Sequence, residues 1–511
     1  MNRCLRISDI TSLVCSELLD AHGRASLGDL ARLARTCRAL CDPALDILWR
    51  TLWSLNPLIC TLPADLWEST ESENAYGITR KDIFFLRPIK DTDWTRFLLY
   101  ARRVRVLNFD DPSIGRAVNF RHAGVPSALH VSAPALPLLP NLQVLALNEE
   151  EALVPHLGML LHPELTSFSC VYSSLLDLPP RISLLTSLPV TCPGLTSLTV
   201  YSGCIPKDEG PFIVALSGVV GAWRGLTQLD VPGLTSSGIQ YVAALPSLWS
   251  LTLRNLDLVD TQHARPPLSF PSLRSIDICA TTLPTCTAFL SLLPPQHPSL
   301  RAVKVRILTQ DTPSKQFPAF FEALATHCAP LALQRIALGA HWRRWHTVPE
   351  SGVIDTTAFL ALLLPFHRLE RLCVTVPSTV GFGDAEVRAM AKSWPRLRAL
   401  VVSPAFAHPL RPGGISAAAF VDLVTSCMAL EELSMLVDLR HPMEAGPGRT
   451  TSLRRLSTEY SRISDVAATA AFLSDVCPNL IDVHAGNDLE SWREVTKLVA
   501  VRRKERATVE L

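Results

Sequence analysis

The 511-residue sequence carries almost no net charge: 48 Lys and Arg stand against 47 Asp and Glu. No whole-molecule field therefore draws the chain onto nucleic acid or an anionic membrane, and any electrostatic recognition must be local. No run of about eighteen consecutive apolar residues occurs, which excludes a bilayer-spanning helix. Residues Met1 to Cys15 also lack the apolar run of a signal peptide. The 14 cysteines include no Cys-x-x-Cys pair. They are scattered singly, as at Cys170, Cys279 and Cys373, in the way small buried hydrophobes are used. Together these features predict a reducing, cytoplasmic and/or nuclear compartment.

Motifs for catalysis are missing as well. There is no Gly-x-x-x-x-Gly-Lys-Ser/Thr loop, no His-Glu-x-x-His and no Gly-x-Ser-x-Gly elbow. Gly381-Phe382-Gly383 begins like a dinucleotide loop but lacks the third glycine and runs straight into Asp384. His341-Trp342-Arg343-Arg344-Trp345-His346 holds two histidines, yet zinc wants three or four ligands and no neighbouring Cys or acid completes a set. That segment reads as a rim loop, or as a protein contact, since Trp and Arg are enriched at binding hot spots. The expectation is no enzyme, no metal and no cofactor.

What is present is a repeated phrase, Pro-x-Leu-x-x-Leu-x-Leu. It is spelled at Pro140 to Leu147, Pro163 to Cys170, Pro193 to Val200, Pro246 to Leu253, Pro271 to Ile278, Pro298 to Val305, Pro395 to Val402 and Pro478 to Ala485. Looser copies begin at Val104, Leu226, Leu333, Leu369, Leu430 and Leu453. A recurrence roughly every 22 to 38 residues is the period of one supersecondary unit stacked on its neighbours. The last two apolar residues of the phrase are two apart, so they share one side of a strand, inward, while the residue between them faces out. Helical patterns lie between the phrases, at Phe212 to Trp223, Ser237 to Leu245, Phe317 to Cys328, Thr356 to Phe366, Asp384 to Trp394, Ser416 to Met428 and Ser464 to Cys477. The prediction is an α/β leucine-rich-repeat solenoid over residues 101–490, a horseshoe with a parallel concave sheet and outer helices. Standard repeats of this kind carry Asn or Cys just past the strand, whereas this chain has Glu150, Ser173, Gly203, Leu256 and Thr281 there. Irregular turns follow from that, with uncertain boundaries at 106–140 and 305–333.

Residues 1–55 lack the phrase. Ile7, Ile10, Leu13, Val14 and Leu18 fall on one helix face, with Ser8 as a candidate N-cap. Ser26 to Asp29 has the form of a capping box, followed by a stripe of Leu30, Leu33 and Ala34 that continues to Cys37 and Leu40. Asp42-Pro43 predicts the start of a third helix, lined by Leu45, Leu48, Trp49 and Leu52. Three helices in about fifty residues bury only a thin core, so a partner helix or the first repeat is needed to cover them.

The run Leu30 to Leu40 followed by Asp42 to Arg50 closely resembles the F-box of mushroom-forming fungi, and Cys4 to Ile10 is similar to that family's start, with Ser8 and Asp9 where it usually has Pro and Glu. Residues 56–100, with Leu62 to Trp67, Arg87-Pro88 and Asp93 to Val104, resemble the family's linker and lead-in helix. Ser69 to Asn74 reads as a loop. The resemblance implies a Skp-family adaptor as partner, and through it a cullin, with Ile7, Ile10, Leu13, Val14, Leu18, Leu30, Leu33, Leu40, Pro43, Leu48 and Trp49 forming the contact or the core beneath it. It also implies that the repeats hold a target for ubiquitin transfer. The other open reading is a repeat scaffold whose helices do not bind the adaptor. Outward positions give Arg254, Lys304, Arg306, Arg335 and Arg371, and Trp342 and Trp345 lie just past the strand bearing Arg335, so an acidic or phosphorylated target is expected over the middle strands. Residues 491–511, with Arg502, Arg503, Lys504 and Arg506, read as the solvated end of a capping helix or as a nuclear-targeting tail.

Overall fold

A computed structural model describes residues 8–18, 27–73, 79–109, 124–148, 153–172, 178–202, 210–258, 267–308, 314–340, 356–376, 382–404, 414–441, 451–459, 461, 463–485 and 489–509. The chain divides into two compact units, Met1–Pro232 and Gly233–Leu511.

The first unit begins with three helices, α1 (Ser8–Ser16), α2 (Leu27–Ala34) and α3 (Arg38–Arg50). Cys15, Leu30 and Ala44 form their buried core, with Leu33, Ala34, Ile47 and Leu48 packed around it. Ser26 of the expected capping box lies outside the described residues. The third helix starts four residues before Asp42: Cys37, in extended conformation, ends the α2 turn, and its carbonyl accepts from the amides of Leu40 (3.2 Å) and Cys41 (3.1 Å). Pro43 therefore sits inside α3 rather than at its first position. A proline there removes only the one donor that would have met the Ala39 carbonyl.

The expected loop at Ser69 to Asn74 is a correction. Trp67–Glu73 and Thr79–Phe85 are strands of an antiparallel hairpin, with Trp67 opposite Phe85. Its apolar signal is concentrated at that end, so the polar remainder was read as a connection. Arg87 then bridges Asp65 (2.9 Å) and the buried Asp93 (2.7 Å), and that guanidinium holds both carboxyls below their ordinary values.

Each expected strand of the repeats forms. In the first unit Val106–Asn108, Val144–Asn148, Ser167–Tyr172, Ser197–Ser202 and Gln228–Val231 pair in sequence order, all parallel. An unexpected strand, Thr51–Leu52, pairs with the first of them: Leu52, expected on the third helix, lies past the end of α3 and begins the sheet instead. In the second unit nine strands follow the same rule: Ser250–Leu253, Ser275–Ala280, Ala302–Ile307, Arg335–Ala340, Arg371–Val376, Ala399–Pro404, Glu432–Ser434, Arg455–Glu459 and Asp482–Ala485. This is the α/β leucine-rich-repeat architecture the phrase predicts. The phrase leucines are the core: Leu248, Leu251 and Leu253 are fully buried, as are Leu198 and Val200, while Thr199 and Thr252 are half-exposed.

Helices return the chain between strands, and their starts follow local chemistry. Thr235 caps Ser236–Ala243 by accepting from Gly238 N (3.2 Å), Ser416 caps Ala417–Ser426 by accepting from Ala419 N (3.2 Å), and Asp465 caps Val466–Val476 by accepting from Ala468 N (3.0 Å). Leu178–Thr191 and Leu283–Leu290 are helices the sequence did not announce.

In place of an asparagine ladder, the register is set by the main chain at the start of each strand. Two consecutive amides converge on one carbonyl of the preceding repeat. Arg301 N and Ala302 N meet Arg274 O at 2.8 and 2.9 Å, Gln334 N and Arg335 N meet Arg301 O at 2.8 and 2.9 Å, and Glu370 N and Arg371 N meet Gln334 O at 2.7 and 3.0 Å. The same pair occurs in the first unit, where Gln143 N and Val144 N meet Arg105 O at 2.7 and 3.0 Å. At the far end of one strand Asp257 accepts from Thr281 N (2.7 Å) and supplies side-chain support at a turn where Asn would otherwise serve.

The chain closes with the helix Leu489–Val509, whose Trp492 is buried and donates to Ser461 O (3.3 Å). The basic tail belongs to this helix: Arg503 donates to Leu480 O (3.2 Å) and Arg506 to Ser474 O (2.6 Å).

Candidate functional site

Two surfaces depart from what packing alone requires. The first is α1. Its buried face holds Thr11 and Cys15, and its other face exposes Ile10, Leu13 and Val14, with Leu13 at 63% and Val14 at 46% of full accessibility. Spacings of three and four put these three side chains on one stripe, and Leu18 is exposed in the turn just past the helix end. Leu27 at the start of α2 is exposed as well. Ile7 lies outside the described residues. Of the remaining residues named for adaptor contact, Leu30 is fully buried, and Leu33, Leu40, Pro43 and Leu48 are half-buried. Trp49 faces elsewhere: its ring stacks on Tyr100 of the helix Trp94–Ala101, centroids 4.4 Å apart and 17° between planes. Arg103, just beyond that helix, pairs with Asp42 (2.6 Å) and also with Asp46, so the middle and the C-terminal end of α3 are tied to the following segment.

The second surface is the exposed face of the sheet in the second unit. The strands bearing Lys304 and Arg306, Arg335, and Arg371 are consecutive. The cations, however, are divided among carboxylates. Lys304 and Arg306 both pair with Asp277, at 3.0 and 3.1 Å. Arg371 reaches past Ala399 to Glu432 at 2.9 Å, and Arg455 meets the same oxygen from the other side at 3.1 Å. One row back, Arg398 pairs with Glu431 at 2.6 Å and holds that carboxyl below its ordinary value. Arg254 is half-buried immediately after its strand. Of the five named cations, Arg335 carries no ion pair among the described residues. Trp342 and Trp345, in residues 341–355, lie outside the described residues.

A signal that escaped the sequence reading sits in the phrase itself. Pro271-Ser272-Leu273-Arg274 and Pro298-Ser299-Leu300-Arg301 place arginine in the same slot of consecutive repeats, and the register brings Arg274 and Arg301 side by side next to Trp249. With Arg335 they line a pocket of about 550 Å³.

Among the described residues no group of three His, Cys, Asp or Glu side chains is placed to hold a metal ion, and no helix is long and apolar enough to cross a membrane. The described cysteines include eight that are buried, and burial pushes the thiols of Cys170, Cys328 and Cys477 up to about 12. Such thiols stay protonated and inert.

No protein-family model matches this chain, and no curated protein does. Among solved structures, the Rad7 and Elc1 complex of yeast is similar at 14% identity with a TM-score of 0.43, covering 93% of this chain and 87% of that one. An internalin from Listeria monocytogenes is similar at 12% identity and a TM-score of 0.33, over 76% of this chain and 82% of its own. Neither carries a functional argument. The repeat fold is read from this chain's own strands and helices, and the functional reading from its surfaces.

Proposed function

We propose that this chain is the substrate-recognition subunit of a Skp-cullin-F-box ubiquitin ligase, non-catalytic and without a cofactor. In this reading α1 to α3 are an F-box that docks a Skp-family adaptor, and through it a cullin, while the repeats hold a target protein. The observation that carries it is the apolar stripe of Ile10, Leu13 and Val14 on the outside of α1, with Leu18 exposed in the turn that follows. Covering it with a partner returns about 25 cal/mol for each Å² of apolar surface removed from water. The residues of Leu30 to Arg50 that resemble the F-box form α2 and α3, which pack on the other face of α1 through Leu30 and Ala44 against Cys15. The mechanism is proximity: holding the target beside the transfer site raises its effective concentration there. The target sits on the exposed side of the second unit's strands and presents an acidic or phosphorylated segment, and the protein works in the cytoplasm and/or nucleus.

The second reading, a repeat scaffold that does not bind the adaptor, draws on Trp49 stacked on Tyr100 and on Arg103 holding Asp42 and Asp46, the contacts of a helical cap. Co-expression with the adaptor separates the two. Leu13→Asp places a carboxylate in the middle of the stripe, where burial against a partner costs several kcal/mol, so adaptor pull-down is lost while the melting temperature holds. Equal pull-down by parent and variant sinks the ligase reading.

A further inference from the structure

The exposed face of the second unit holds two adjacent pockets of opposite character. One is lined by Arg335, Arg371, Arg398 and Arg455 together with Glu370, Glu431 and Glu432. Of its cations Arg371, Arg398 and Arg455 are spent on Glu431 and Glu432, while Arg335 stands on the border it shares with the second pocket. The other is lined by Trp249, Arg274, Arg301, Gln334 and Arg335, with serines beside them and no carboxylate at all. Arg274, Arg301 and Arg335 are exposed, and none of the three has an ion pair or side-chain hydrogen bond among the described residues. In the row of residues just before the strands, the first acidic side chain after Gln334 is Glu370, one strand later, while Asp277 lies further along its strand and is taken up by Lys304 and Arg306.

We infer that the pocket of Trp249, Arg274, Arg301 and Arg335 is a docking site for a phosphoserine- or phosphothreonine-bearing segment of a partner protein. Strands stand about 4.8 Å apart, so Arg274 and Arg301 flank one position, and Arg335 adds a third fork from the next strand, one residue further on. The three planar guanidinium forks supply only donors. That excess exceeds what the two oxygens of a carboxylate can use and matches the three terminal oxygens and double charge of a phosphate. Trp249, exposed at the edge of the pocket, offers a flat apolar surface for the residue next to the phosphate. The site differs from a general basic face: Lys304 and Arg306 are neutralised by Asp277, and Arg371 by Glu432. The inference rests on the proposed function only for the bound segment's role as a target.

The test retains peptides on the immobilised full chain from three degenerate libraries of equal length, with phosphoserine, serine or glutamate fixed at the centre. Retention of the phosphoserine library alone is expected, weakening as salt rises. Replacing Arg274 and Arg301 by serine weakens it by about tenfold each, the size of a lost charge-assisted hydrogen bond, whereas Lys304→Ser leaves it unchanged. Arg301→Lys, which keeps the charge and loses the fork, gives an intermediate result. Equal retention of the serine or glutamate library overturns the inference, and so does parental retention by the double variant. Preferential capture of RNA or of phosphoinositide vesicles also overturns it. Leu13→Asp, which tests the adaptor, leaves peptide retention as it was, so failure of one reading is distinguishable from failure of the other.

Discussion

Leucine is used in opposite senses at the two ends of this chain. Leu13 on α1 is 63% exposed, whereas Leu251 in the strand Ser250–Leu253 is fully buried. Both belong to regular apolar patterns, so pattern alone does not say which side is covered. A repeat strand has neighbours on either side and a returning helix behind it, and every phrase leucine is enclosed by copies of itself. The three N-terminal helices have no such copies. Their core closes on Cys15, Leu30 and Ala44, and the far face of α1 is left over.

The sharpest way to break this comparison is to make one substitution at both ends. Leu251→Ala should lower stability by roughly 2 to 5 kcal/mol through lost transfer energy and the cavity left behind. Leu13→Ala should fall within about 0.5 kcal/mol of the parent. Denaturant melts of the two variants measure both, and similar losses would mean that α1 is covered from within. Trp49 tests the boundary between the regions. Its ring is half-buried against Tyr100, so Trp49→Ala should cost roughly 1 to 3 kcal/mol, below a core tryptophan and above a surface one. If Tyr100→Ala added to Trp49→Ala costs as much again, the stack is not what joins them.

Acid sharpens the contrast further, since the buried histidines among the described residues, His162 and His297, belong to the repeats. His297 is buried and its Nε2 donates to Phe270 O at 2.9 Å, leaving Nδ1 without a partner, and burial lowers its pKa. A lowered folded pKa means the unfolded chain binds the proton first. The contribution is thus complete above the unfolded value of about 6.5 and is lost as pH falls through the lower folded value, by about 1.4 kcal/mol per unit of depression. Melting temperature should fall below about pH 6.5 in the parent and less steeply in His297→Gln. The smallest effect is expected at Thr252→Ala and Thr199→Ala, within about 0.5 kcal/mol, because their side chains face out. Threonine losses as large as those of the leucines would turn the sheet inside out.

The sequence announced the strands because burial on one side of a sheet imposes the spacing of Leu248, Leu251 and Leu253 regardless of context. It announced helices with no proline beyond the first turn, Phe317–His327 and Asp384–Ser393 among them, though not the short Leu283–Leu290. It concealed Leu178–Thr191, where Pro189 lies inside the helix, and the first turn of α3, whose start the sequence places at Asp42-Pro43, since proline reads as a helix boundary until packing decides otherwise. On the sheet face, alternation alone identified the outward residues. It could not show that Arg371 reaches past Ala399 to Glu432, because side-chain reach across two strands depends on register. The arginines at 274 and 301 were legible as a recurring slot, but they lie one residue before the strands, outside the frame that alternation addresses.

The paired amides that meet one carbonyl at each strand start have a consequence for how such a surface changes over generations. Main-chain atoms hold the register at that row, so folding makes no demand on which side chain occupies it. Trp249, Arg274, Arg301, Gln334, Glu370, Arg398 and Glu431 all occupy equivalent places, and each satisfies the same backbone geometry. Such a row can drift through aromatic, basic, amide and acidic residues without loss of the scaffold. In a paralogue with these strands, the letters at those seven places would record what has been bound, while the leucine one residue before each would record only that the chain folds.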